Sequence, residues 1–383
     1  MNSEILIFFV IVYYLLKNLF IDEEYYRFFK ITDVNFWIIL LIFILYLIIL
    51  SVEISFKLSL NLLFLVLIYL IWVSNFIIFF FFYEIIFILI IFVIILLGYS
   101  YERLLAAYLI IFYSFLFSSP IIILFLIFDN VFLFKFWLNY SRVISYFLIG
   151  SFIVKFPIFG FHYWLPVAHV EASTIGSILL AGILLKLGSI GLLYVIMYLK
   201  FIIKFHWLSI RVLIVILLIL FLSDLKIIIA YSSIAHISIV FYVIIIGSLI
   251  AKKGALLIIF YHGVLSPLIF WLVGLLRWWK TRSLFVVKFI SFSYIFFILI
   301  FFLAILNISF PPFIGFISEI LILKALVISP LIIFIIVLGV LFRCYYNIYF
   351  FWSFSNFIGL LFKVNLYRID VFIFLIWVLF LNF

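Results

Sequence analysis

A single cysteine, Cys344, excludes an intrachain disulfide and any thiolate metal cluster held by this chain alone, so no redox centre is expected on it. Charge is scarce as well. Only 9% of the 383 residues are Asp, Glu, Lys or Arg, against roughly a quarter in ordinary globular domains. The chain opens Met1 to Glu4 and then runs apolar, without a basic leader, a small-residue cleavage site or an Arg-rich amphipathic presequence. It is therefore expected to be inserted where it is made. What fills the space is apolar: 72% of residues are hydrophobic and the mean hydropathy is +1.62. Lipid is the implied solvent. In lipid each backbone polar group must be satisfied internally, and long apolar runs without two-residue alternation achieve this as helices, not as barrel strands. The expected fold class is all-α, a polytopic membrane helix bundle.

A helix needs roughly 20 apolar residues to cross the hydrocarbon core. The charge-poor stretches allow about thirteen spans. These fall near 5–20, 34–52, 58–73, 75–98, 104–128, 143–165, 173–198, 207–222, 227–250, 255–276, 289–327 (long and broken), 330–352 and 369–382. The connections are short, and none has room for a soluble catalytic domain. A net charge of +10 would suggest nucleic acid in a soluble protein. Here the basic residues collect at span ends, as at Lys252-Lys253, Arg277 to Arg282 and Lys363, and read as membrane anchors, with no nucleic-acid partner expected. The 56 phenylalanines, with abundant Ile and Tyr, fit an AT-rich, organelle-encoded gene.

Inside a bilayer an ionisable side chain costs about 2.5–3.5 kcal/mol even on lenient insertion scales, so each one asks for an explanation. Six positions do so. Glu84 stands alone between Leu58 and Tyr101. Lys155 lies about twelve residues into its expected span, ~18 Å from that end and too deep to snorkel. Lys186 is central in 173–198, with Glu171 and Lys200 as its nearest charges. It either pairs with an acid on another helix or exchanges its proton. His236 and His262 lie well inside separate spans, and imidazole is the side chain best suited to relay protons near neutrality. Glu319 follows a Pro pair that cannot sustain an ordinary helix. Lys324, five residues on and about 140° around the helix, is no partner for it, so Glu319 looks to another helix or to water. As a set on different helices, acid, Lys, Lys, His, His and acid are what a proton path requires, because protonating one group alters the next by Coulomb coupling. Each alone could be a satisfied core residue.

A five-residue motif repeats. Pro157-Ile158-Phe159-Gly160-Phe161 recurs as Pro312-Phe313-Ile314-Gly315-Phe316, just after Lys155 and just before Glu319. Helices interrupted by Pro and Gly in corresponding halves of a membrane chain point to a transporter built from repeats, with broken helices at its ion site. The expected breaks are Pro157, Gly160, Pro311, Pro312 and Gly315.

On these residues the chain resembles the antiporter-like subunits of respiratory complex I, the NADH:ubiquinone oxidoreductase, in their mitochondrial chain 4 branch. The blocks that carry the likeness are VKFPIFGFHYWLPVAHVEASTIGSILLAGILLKLGSIG from Val154, SDLKIIIAYSSIAHISIV from Ser223, YHGVLSPLIFWLVG around His262, FPPFIGFISEI from Phe310, and Tyr83-Glu84 with YERLLAAYLIIFYSFLFSSP from Tyr101. The 31-residue interval between Lys155 and Lys186 is the one the family motif implies. The resemblance implies Glu84 and Lys155 as an acid and lysine pair, Lys186 as the central lysine, His236 and His262 as a connecting relay, and Glu319 as the terminal acid. Lys186 would trade its proton through His236 and His262 to Glu319. The resemblance further implies two inverted repeats, 74–198 and 199–352, after N-terminal helices at 1–73 and before a C-terminal loop and last helix at 353–383.

The resemblance also implies no cofactor on this chain, with NADH, FMN, iron-sulfur clusters and ubiquinone on other subunits. Its partners would be other membrane-arm subunits, neighbouring antiporter-like chains among them, and membrane lipids including cardiolipin, in the mitochondrial inner membrane. The chain would be part of an enzyme without itself holding a catalytic residue. Two departures stand out: Ser173 replaces a Pro of the family motif and Val167 a polar residue. The region before Glu84 is shorter than usual, as if one leading helix were missing. No room remains after Trp352 for the long lateral helix of the related chain 5. His169 and Glu171, two ligand types without a third, make a poor metal site and read as structural caps. Two rivals stand beside the complex I reading: a subunit of an Mrp-type Na⁺/H⁺ antiporter, and a non-conducting scaffold bundle, which would be expected to lose the ionisable set.

Overall fold

The computed structural model describes residues 38–46, 48–49, 57–73, 76–98, 101–127, 142–158, 160–199, 207–276, 294–326 and 330–355. The expected spans 5–20 and 369–382, the Arg277 to Arg282 cluster and Lys363 lie outside the described residues. After a helical segment at 38–46 and 48–49, the helices are α1 (Lys57–Trp72), α2 (Phe76–Leu97), α3 (Arg103–Ile127), α4 (Arg142–Lys155), α5 (Trp164–Glu171), α6 (Thr174–Leu179) and α7 (Leu185–Leu199). They continue as α8 (Trp207–Ile219), α9 (Leu225–Ile246), α10 (Leu249–Leu276), α11 (Tyr294–Ile308), α12 (Ile314–Ala325) and α13 (Pro330–Ser355).

Among the described residues, five helical stretches are long and apolar enough to cross a membrane: Ile77–Leu97, Arg103–Ile123, Thr174–Ile196, Leu225–Ile246 and Leu249–Gly274. They divide by burial. The last three are about nine-tenths covered by other parts of the protein, whereas the α3 stretch is 28% covered. Its exposed face carries Leu104, Tyr108, Phe112 and Phe115, side chains that hydrocarbon solvates well. The three covered stretches carry Lys186, His236 and His262. A protein interior is the one place in a bilayer where such groups find partners.

Two expected spans are broken, and their local chemistry explains how. The stretch read as one span at 143–165 is α4 and α5, joined by a turn. Pro157 has no N–H to continue the ladder, and Gly160 adopts φ 109, a conformation that L side chains avoid. Trp164 closes the break by donating its indole N–H to the Val154 carbonyl at 3.1 Å. Lys155 is therefore not a mid-helix lysine. It ends α4, where a cation meets the carbonyl end of the helix dipole.

The stretch 289–327 breaks between α11 and α12, at 309–313, where Ser309 takes φ 62. Pro311 and Pro312 lie in this turn, but Gly315, expected as a break, lies inside α12. Its small size serves packing instead. A Cβ at Gly315 would stand 2.6 Å from Cε1 of Tyr261. Gly315→Ala is expected to lower thermal stability by about 1–3 kcal/mol through overpacking, and unfolding of the detergent-solubilised protein would register it.

The expected boundary between 227–250 and 255–276 also moves. Gly247 at φ 72 ends α9, and Ser248 Oγ accepts from Ala251 N at 3.2 Å to start α10. Lys252 and Lys253 thus fall within the first two turns of α10. At the other departure point, Ser173 caps α6 by accepting from Gly176 N at 3.2 Å. Serine supplies an acceptor that proline lacks. Ser173→Ala is expected to cost about 1 kcal/mol, read by the same unfolding measurement.

From Thr174 to Leu199 the helix is one rod containing a π turn at Leu180–Leu184. Opposite it, α10 carries Pro267 inside its length. The two irregularities face each other, since a Cβ on Gly182 would come within 3.0 Å of Pro267 Cγ. Such turns leave backbone carbonyls without their usual helical partner.

Candidate functional site

The first group of ionisable residues lies where α4 ends against α2. Lys155 forms an ion pair with Glu84. The lysine is 2% exposed and the glutamate 21%. Its ammonium lies 4.2 Å from the ring centre of Tyr83 and 4.4 Å from that of Phe87, with Phe80 at 5.8 Å. These rings are neighbours of Glu84 on α2, one helical turn to either side or adjacent. One helix therefore supplies both the counter-ion and the negative aromatic faces, and the cation is held by carboxylate and π-electrons together.

The end of α4 also touches α7: a Cβ on Gly188 would lie 3.6 Å from the Lys155 carbonyl carbon. Two residues earlier, Lys186 is 4% exposed. Its Nζ donates to the Ala181 carbonyl within the π turn at 2.8 Å and lies 2.8 Å from His262 Nδ1 on α10. A lysine and an imidazole at that distance can pass a proton with little heavy-atom movement. Which of them holds it depends on the field around them. A cavity lined by Phe156, Lys186, Ser189, His236 and His262 has a volume of about 10 Å³, about what one water centre needs. Phe156, part of the cavity wall, follows Lys155 in the chain.

Beyond His262, the ring of His236 on α9 stands 5.2 Å away, centre to centre. His236 Nδ1 in turn lies 3.3 Å from Nη1 of Arg343 on α13, and the same Nη1 donates to Glu319 Oε1 on α12 at 2.8 Å. The spatial order is therefore Lys186, His262, His236, Arg343, Glu319. The expected order had the two histidines exchanged and no arginine. Chain order misleads here because α10, although later in sequence than α9, packs directly on the π turn.

Arg343 was not expected, although its signal was present: an arginine well inside the apolar run 330–355, by the cost argument that singled out Lys155. Nor was Lys226, which donates to the Val170 and Ala172 carbonyls at 3.2 and 2.7 Å and so satisfies the C-terminal end of α5. His169 was expected to cap there. Instead its ring stacks on Phe270 at 4.4 Å, and neither ring nitrogen has a hydrogen-bond partner among the described residues. A cation suits the carbonyl end of a helix better than a neutral imidazole does. Asn307 and Asn347 join α11 to α13 through an amide hydrogen bond of 2.8 Å, and Asn347 Nδ2 donates to the Arg343 carbonyl at 2.9 Å. No cluster of three metal-ligand side chains occurs among the described residues.

Three comparisons place the chain. It is 40% identical over 187 residues to NADH-ubiquinone oxidoreductase chain 4 of Ascaris suum, covering 47% of this chain and 45% of the relative. The chain spans about half the length of the curated relatives it matches. Its fold is similar to a chain of respiratory complex I from Thermus thermophilus with bound NADH, with TM-score 0.74 and 20% identity over 90% of this chain and 78% of that one. It is also similar to a chain of the Mrp complex from Dietzia sp. DQ12-45-1b, with TM-score 0.76 and 14% identity over 85% and 66%. Residues 73–343, which hold every group of the buried row, match one family. The chain, a multi-pass membrane protein built of helices in its described residues, belongs to the NADH:quinone oxidoreductase/Mrp antiporter transmembrane family.

Proposed function

We propose that this chain is a proton-translocating, antiporter-like subunit of respiratory complex I, in which electron transfer from NADH to ubiquinone on other subunits drives protons along its buried row. The observation that carries the reading is the contact of Lys186 with His262 at 2.8 Å, placed between the Glu84 and Lys155 pair and the His236 side of the row. Opening or closing the ion pair changes the field at Lys186 and hence its hold on a proton. The proton then passes to His262 and His236 and on toward Glu319.

In this reading NADH, FMN, iron-sulfur clusters and ubiquinone belong to other subunits, and this chain binds none of them. Its neighbours are other membrane-arm subunits, related antiporter-like chains and lipids such as cardiolipin, in the mitochondrial inner membrane. The gene is carried by the organelle. The full chain crosses the membrane about thirteen times, in two inverted repeats at 74–198 and 199–352. The paired breaks at Pro157 and Pro312 support that division.

A mild-detergent native gel of the source membranes, stained for NADH dehydrogenase activity and analysed by mass spectrometry, tests the assignment. The chain is expected in a very large NADH-oxidising band. Recovery only in a small, NADH-inactive assembly would favour the second reading, an Mrp-type Na⁺/H⁺ antiporter subunit, which the fold likeness to the Dietzia complex supports. Sodium-dependent proton exchange would then be the activity to measure.

A further inference from the structure

The proton-path reading gives no part to one buried charge, that of Arg343, which is 2% exposed and stands between His236 and Glu319. A buried ion pair is not in itself stabilising compared with apolar residues of similar size, so its position asks for another account. An arginine side chain has donors only and keeps its proton in proteins. The His236 nitrogen facing Nη1 at 3.3 Å must then be a bare acceptor, with the imidazole neutral and its proton on the other nitrogen. A second proton arriving on His236 would meet a full positive charge at that distance. Glu319 Oε1 accepts from the same Nη1 at 2.8 Å.

A second observation is independent of this one. Nε and Nη2 of Arg343 are buried without a hydrogen-bond partner among the described residues. Two unsatisfied donors make the bridging position a costly one. A small, mostly apolar pocket whose lining includes Ser232, Asn307, Tyr346 and Asn347 adjoins the same stretch of α13.

Resting on the proton-path reading, we propose that Arg343 is an electrostatic latch: while it bridges His236 and Glu319 no proton crosses, and transfer to Glu319 occurs only when the guanidinium swings off the bridge. The step moves one proton from His236 to the Glu319 carboxylate and leaves the arginine chemically unchanged. It is a positioning residue, acting through the two groups it separates.

The latch predicts a leak. In proteoliposomes holding the intact complex without a driving reaction, Arg343→Gln is expected to raise passive proton conductance about tenfold or more, since only a small part of the Coulomb barrier needs to be lost. Adding His236→Gln is expected to abolish that leak, because the route runs through the imidazole. Leak through loosened packing would survive the second change. If Arg343→Gln does not assemble, Arg343→Lys keeps a cation beside Glu319 but replaces the planar fork that bridges both groups with a compact ammonium, and a smaller leak, still abolished by His236→Gln, is expected. No rise in conductance, or a rise that persists with His236→Gln, overturns the latch. Should the unmodified complex move no protons at all, it is the proton-path reading that fails.

Discussion

Lys186→Met is expected to abolish proton transport, with at least a tenfold loss of flux in proteoliposomes followed with a pH-sensitive dye, while the chain still assembles. Among the described residues the side chain has two polar contacts: a carbonyl freed by the π turn and an imidazole nitrogen. Neither is a carboxylate. With no carboxylate partner among the described residues, its charge state answers to more distant charges, and that is the property a switch needs. Loss of the amine frees one carbonyl, at a cost of about 1 kcal/mol, too little to unfold a chain of this size.

Lys186→Arg sharpens the test. If Lys186 served only as a fixed positive charge, arginine would restore function. If it must release its proton, arginine fails as completely as methionine, because a guanidinium does not deprotonate. Transport retained by the methionine variant, or rescued by arginine, would remove Lys186 from the path.

The second large effect is on stability. Glu84→Gln leaves the Lys155 ammonium, 2% exposed, without its counter-ion in a protein interior. Removing one partner of a buried pair costs about 3–5 kcal/mol. The low end is expected here, because Tyr83 and Phe87 keep their faces toward the cation at 4.2 and 4.4 Å. The double variant Glu84→Gln with Lys155→Met has no stranded charge and is expected to regain most of the loss. Thermal unfolding of the single and double variants measures this directly. A double variant no more stable than Glu84→Gln would show that the pair does not act as a unit. Proton transport is expected to be lost in both, since neither retains a pair that can open and close.

Several parts of this site are legible in the sequence. The cost of a lone charge in an apolar span is local, so Glu84, Lys155, Lys186, His236, His262 and Glu319 could be picked out one by one. Applied without exception, the same cost would have yielded Arg343. The breaks at Pro157 and at Pro311 and Pro312 follow from a missing N–H, again a local matter. Gly160 and Gly315 look equivalent in the repeated motif, yet one serves a left-handed turn and the other makes room for Tyr261. The difference lies in what packs against them.

Sequence alone determined that the chain is helical and bathed in lipid, because 72% hydrophobic residues leave no other way to satisfy the backbone. It also determined which side chains are too polar for their surroundings. Tertiary structure alone decided which of them meet: that Lys186 faces His262 before His236, that Arg343 stands between His236 and Glu319, and that Lys226 rather than His169 satisfies the end of α5. The physical reason is range. Desolvation and backbone chemistry act within a residue or a turn, whereas proton transfer and ion pairing depend on distances of about 3 Å, and only the packing of helices far apart in the chain sets those.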